Sequence, residues 1–216
     1  MKHILSDAER ASLDNLIAKA EEKTGKQIVL ATVKRSDNYT EIPWKAFALG
    51  SSVTGFVVFI TDLFLPWWVT DTVILFSVAA IIGAGALLAL VALIFPFFAR
   101  LFVSGNRKET EARQYAESLF LSRELFATEG RRGILLLVCQ FERQVVILPD
   151  IGVRDQLKPE VMNIIISKMT RFLKKQETGN ALETGLNELM QVFNYSVQTG
   201  PVKNELSNDI IVEEGS

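Results

Sequence analysis

The sequence predicts an α/β protein: a small mixed sheet in an αβα sandwich, interrupted by a two-helix transmembrane hairpin. Three observations lead there. Short apolar runs at 27–34, 133–140 and 144–150 read as strands. Segments at 7–24, 107–128, 159–176 and 179–194 repeat apolar residues at helical spacing. Residues 46–61 and 72–99 carry no charged side chain, a longer uncharged run than the roughly 10–14 residues of a buried core helix.

Taken in order, Ser6 and Glu9 form an S-x-x-E capping box. Leu13, Ile17 and Ala20 follow on one helical face, and Gly25 stops the helix. QIVLATVK at 27–34 is rich in β-branched residues, and SDNYTEIP reads as the loop leading to the first span. The spans are expected at 46–66 and 72–99, the second about 42 Å long as one helix. Ser104-Gly105-Asn106 is a break, and Ala112, Tyr115, Ala116, Leu119 and Phe120 mark an amphipathic helix. GILLLVCQ and QVVILPD read as a strand hairpin turning at Phe141-Glu142-Arg143. Pro159 suits the first turn of a helix striped by Met162, Ile165, Ile166, Met169 and Leu173. A last helix presents Leu182, Leu186, Leu189, Met190 and Phe193. Residues 199–216 read as a flexible acidic tail.

A lone strand at 27–34 cannot fold by itself, so it must join the pair at 133–150. Residues 1–45 and 104–195 therefore form one discontinuous domain around the hairpin. Lys34, Arg35, Lys45, Arg100, Arg107, Lys108 and Arg113 flank the spans, whereas the connecting loop holds Asp62 and Asp71 and no cation. The positive-inside rule places the soluble domain in the cytoplasm of an inner-membrane protein. Trp44 marks one interface, and Trp67 and Trp68 the other. Asp62 falls about one turn before Pro66 and reads as an outer-interface residue. Ser51-x-x-x-Gly55 and Ala79-x-x-x-Gly83 offer faces where the spans, or two copies of the chain, meet.

The chain has 216 residues, 49% of them hydrophobic, and a net charge of −2, so nothing points to nucleic acid. The single cysteine, Cys139, excludes an intramolecular disulfide, and His3 alone supplies no histidine triad. The N-terminus shows no apolar signal-peptide region. No phosphate-binding loop, nucleophile elbow or H-E-x-x-H motif is present. Cys139 sits mid-strand and reads as a buried thiol. What remains is acidic: Glu142 at the strand turn, and Asp150 and Asp155 around Gly152 before the 159–176 helix. A loop at a strand's carboxyl end that feeds a helix is a common ligand position. Asp150 and Asp155, with Glu142 more weakly, are candidate ligands for calcium or magnesium. Equally, both aspartates suit the capping of turns.

The stretch SDAERASLDNLIAKAEEKTGKQIVLATV resembles the first helix and strand of the TPM domain, a family named for photosystem II repair proteins and an acetylcholine-receptor accessory protein. EARQYAESLFLSRELFATEGRRGILLLVCQFERQVVILPDIGV resembles the family's run of helix, Gly-led strand, Glu-Arg turn and strand ending in Asp-x-Gly. NALETGLNELMQVF resembles its closing helix. Bacterial members that carry an inserted membrane hairpin share this arrangement. The resemblance implies an αβα sandwich and two kinds of activity: acid phosphatase or calcium binding, and assembly, repair or regulation of membrane complexes. The family's Gly-Tyr-Gly is replaced by Asp150-Ile151-Gly152, and a neighbouring acidic residue by Arg154. The reading that follows is a non-enzymatic accessory module for a membrane-protein complex. The alternative is a divalent-metal phosphatase at the membrane surface.

Overall fold

The computed structural model describes residues 5–65, 70–193, 205–206 and 210–215. Trp67 and Trp68, and most of the segment read as a tail, lie outside them. The chain divides into two compact units, one of residues 1–38 and 106–216 and one of 39–105.

The first unit is a mixed α/β fold. Its helices are α1 (Asp7–Thr24), α5 (Gly105–Ser122), α6 (Pro159–Lys174) and α7 (Thr178–Phe193), and its strands β1 (Gln27–Arg35), β2 (Gly133–Cys139), β3 (Gln144–Pro149) and β4 (Ile211–Gly215). The sheet order is β3-β2-β1-β4. β1 runs parallel to β2 and β4, whereas β3 is antiparallel to β2.

Side-chain alternation sorts the strands into two cores. Ile28, Leu30, Ile134, Leu136 and Val138 face α1, α6 and α7 through Ile17, Ile165, Met169, Leu186 and Phe193. Val29, Ala31, Val33, Leu135 and Leu137 face α5 through Ala112, Ala116 and Leu119. Because β1 and β2 are covered on both faces, they read as continuous apolar runs.

Local chemistry sets the helix ends. Ser6 Oγ accepts the Glu9 N–H at 3.3 Å, and the Glu9 carboxylate accepts the Ser6 N–H at 2.8 Å, which completes the capping box. The serine hydrogen bonds hold the Glu9 carboxyl below its ordinary range. Gly25 closes α1 in the left-handed region at φ 63°.

The tail is the main departure from the sequence reading. Ile211–Gly215 adds a parallel strand to β1. Gln27 Oε1 accepts the Glu205 and Leu206 N–H groups at 2.9 and 3.0 Å. Tyr115 and Arg123 bond to Glu213, and Lys34 to Glu214. The acidic residues that suggested a solvated tail are thus held by hydroxyl and cationic groups far away in sequence.

The second unit comprises α2 (Glu41–Phe64), α3 (Asp71–Ile94), the short α4 (Pro96–Ala99) and a 3-10 turn at Arg100–Phe102. α2 starts five residues before the expected span, because Pro43 is tolerated in a first turn. α3 ends sooner than expected: Pro96 forces Phe95 into extended backbone, φ −107° and ψ 101°. The single 42 Å helix is therefore corrected to about 36 Å plus a kink. α2 and α3 meet through Gly50, Ser51 and Gly85. A Cβ on Gly50 would lie 2.8 Å from the Ala84 carbonyl, and one on Gly85 would lie 2.3 Å from Ser51 Oγ. Gly83 faces open space, so the Ala79–Gly83 face is not the contact. Both helices are long and apolar enough to cross a membrane, and only 6% of each apolar window is buried. Asp62 lies in the last turn of α2.

Candidate functional site

The antiparallel course of β3 separates the acidic residues singled out in the sequence. Asp150 follows the end of β3, beside the amino end of β2, where its N–H donates to the Gly133 carbonyl at 2.9 Å. Glu142 sits in the turn at the other end of the same strand pair. β3 alone spans about 20 Å, so the two carboxylates cannot share an ion. Asp155 is exposed in the turn beyond the 3-10 segment Ile151–Val153. Among the described residues no group of three or more His, Cys, Asp or Glu is placed to hold a metal ion.

Asp150 is 4% exposed. Arg131 Nε donates to Oδ2 at 2.7 Å and Arg131 Nη2 to Oδ1 at 2.9 Å, a bidentate pair. Oδ1 also accepts the Ile151 N–H at 2.7 Å. Burial pushes the carboxyl upward, but the Arg131 and Ile151 bonds together outweigh it and hold it below the ordinary range. A cation here would have to displace a guanidinium. The pair clamps two turns together: a Cβ on Gly152 would stand 2.1 Å from the Gly130 carbonyl. Arg131 itself adopts φ 53°, a strained conformation that the clamp secures.

At the carboxyl ends of β1 and β2, Glu142 Oε1 accepts the Ser36 N–H at 2.9 Å and the Ser36 hydroxyl at 2.8 Å. Gln140 Nε2 donates to Thr178 Oγ1 at 3.2 Å, tying β2 to the start of α7. The Arg35 guanidinium lies 4.5 Å from the Phe141 ring centroid. Arg107 Nη2 donates to Asp37 Oδ2 at 3.1 Å, joining the chain's exit from this unit to its re-entry. Sequence reasoning missed Ser36, Gln140 and Thr178, which lie far from their partners in the chain and carry no local signal. Cys139 is fully buried. Burial and the nearby Glu142 push its thiol far above the ordinary range, so no thiolate forms near neutral pH.

A recess of about 710 Å³ runs along β3. Its floor is β3 itself. One wall is α5, with Glu109, Ala112 and Arg113, and the other is α6, with Met162, Asn163 and Ile166. Arg154 stands at the rim, exposed to solvent. The Asp150–Gly133 bond fixes the phase of the ladder. Gln144, Val146 and Leu148 bond to β2, whereas the N–H and C=O groups of Val145 and Ile147 point outward into the recess. Apolar walls, an open strand edge and one rim cation suit binding of another chain better than bond-breaking chemistry.

A family model described as TPM domain matches residues 1–56 and 99–192. The gap between the two matched stretches, 57–98, takes in the last third of α2 and all of α3. No curated protein matches the chain. Among solved structures, the NMR structure of BA42 protein from the psychrophilic bacterium Bizionia argentinensis is similar, with 13% identity and a TM-score of 0.59. The alignment covers 98% of this chain and 97% of that one. At that identity the likeness concerns the fold alone.

Proposed function

This chain belongs to the TPM domain family, and from that premise we propose that it is a membrane-anchored binding module, an accessory to a membrane-protein complex. The recess along β3 carries the reading. It joins a strand edge that pairs with no further strand among the described residues to largely apolar walls, the surface one chain offers another. Two of the three acidic candidates fit less well with catalysis. Asp150 is engaged by Arg131, and Glu142 by Ser36. α2 and α3 supply the anchor, and the cation-rich flanks favour a cytoplasmic position for the sheet unit at the inner membrane.

The test is purification of the full chain from membranes in mild detergent after brief cross-linking. Recovery of a membrane protein in fixed ratio is the expected outcome. Recovery of this chain alone overturns the accessory role. Phosphate release from a generic phosphomonoester that needs magnesium or calcium, and is lost in Asp150→Asn, would replace it with the phosphatase reading. Thiol labelling of single cysteines placed at 65–70 from the cell exterior is expected. Labelling only after lysis reverses the assigned side.

A further inference from the structure

We propose that the β3 edge binds an extended acidic segment of a partner protein by strand addition, deepening the binding role inferred above and resting on it. β3 is a terminal strand of the sheet. In an antiparallel ladder, alternate residues turn both backbone groups away from the neighbour. Here these are Val145 and Ile147. Among the described residues neither has a hydrogen-bond partner on that side. An added strand would satisfy both, while its alternate side chains met α5 on one face and α6 on the other. Natural edges are usually short, charged or covered. This one carries Gln144 and Pro149 at its ends but Val-Val-Ile-Leu between them.

Two observations select the occupant. First, β3 is recessed between α5 and α6. A bare extended segment brings no helices of its own into this recess, whereas a second copy pairing through β3 would bring its α5 and α6 as well. Second, Arg154 stands exposed at the rim beside β3, while Arg113 on the α5 wall is paired with Glu117 at 3.0 Å and Glu109 is the one acidic residue lining the recess. The opposite edge of the sheet already shows the same chemistry. There β1 receives the acidic, β-branched strand Ile211–Gly215, with Glu213 and Glu214 held by Arg123 and Lys34.

The probe is a fluorescent heptapeptide of sequence DIIVEEG, with DIIVKKG as its charge-reversed control, added to the full chain in detergent. Saturable binding of DIIVEEG is expected, weakened at least tenfold by Asn163→Trp, which fills the recess from an exposed position, and at least threefold by Arg154→Glu. DIIVKKG should bind at least threefold more weakly. Hydrogen exchange gives an independent readout. The Val145 and Ile147 amides should slow at least tenfold on saturation, while Val146 and Leu148, already bonded to β2, should not change. Absence of saturable binding overturns the proposal, as does protection confined to β1. Protection of Val145 and Ile147 that rises with protein concentration alone would assign the edge to a second copy instead. If a cross-linked partner is captured equally by wild type and Asn163→Trp, the accessory role stands and the β3 assignment falls.

Discussion

The same apolar residue types behave in opposite ways in the two units. In the sheet unit, Leu30, Ile134 and Leu136 are wholly buried. In the hairpin, Phe56, Leu75, Leu87 and Leu93 each expose more than half of their surface. Composition alone does not explain the contrast; distribution around the helix does. α6 carries its buried residues, Ile165, Met169 and Leu173, on one stripe and keeps charge elsewhere. α3 is apolar all round, and only Gly85 and Ala92 are buried. A helix with one stripe is satisfied by a sheet. A helix that is apolar on every side is the kind that a bilayer or a large protein core surrounds. The contacts differ as well. The sheet unit packs large side chains, whereas α2 and α3 meet through Gly50, Ser51 and Gly85, the small-residue contact typical of membrane helices.

The contrast can be broken most directly in the sheet. Leu136→Ala should destabilise the sheet unit by about 2–5 kcal/mol, through lost burial and a residual cavity. Leu87→Ala should cost under about 0.5 kcal/mol. Denaturant titration in detergent measures both, and equal losses would abolish the distinction. Next, Gly85→Leu should destabilise the hairpin by about 1–3 kcal/mol by overpacking, whereas Gly83→Leu, facing open space, should leave it unchanged. Thermal unfolding of the two variants side by side decides this.

Asp150→Asn should cost the sheet unit about 1–3 kcal/mol by weakening a charge-assisted hydrogen-bond set. Its pH signature has a definite sign. The Asp150 carboxyl is depressed in the folded state. Its contribution is therefore full above the unfolded value near 3.9 and is lost as pH falls through the lower folded value. Acid titration of stability should show a limb in the wild type that flattens in Asp150→Asn; an identical limb would assign the clamp no role. The smallest effect belongs to the β4 clasp. Glu213→Gln removes the partly exposed pair with Arg123 and should cost under about 1 kcal/mol. Faster exchange of amides in Ile211–Gly215, without faster exchange in β2, would place the loss at that edge.

Much of the fold was legible because its signals are local. The capping box at Ser6 and Glu9, the stop at Gly25, Pro159 at the start of α6 and the β-branched runs of β1 to β3 each act within a few residues. The errors arose where distance mattered. The acidic tail gave no local strand signal, yet Gln27 and Tyr115 hold it from across the chain. Asp150 and Asp155 looked like one ligand set because they are neighbours in sequence, and Arg131, 19 residues away, claims Asp150 instead. The expected ligand loop at a strand's carboxyl end was real for β3 alone. Antiparallel pairing turned that end toward the amino ends of β1 and β2.

By itself the sequence determined where α1, α5, α6, α7, β1, β2, β3 and the apolar hairpin lie, since hydrophobic period, caps and prolines act over a single turn or strand. Only the tertiary structure decided which carboxylates are already occupied, that a distant segment completes one edge of the sheet, and that β3 is the terminal strand at the other among the described residues. Those outcomes depend on pairing between residues remote in sequence, and no local pattern records which remote partner wins.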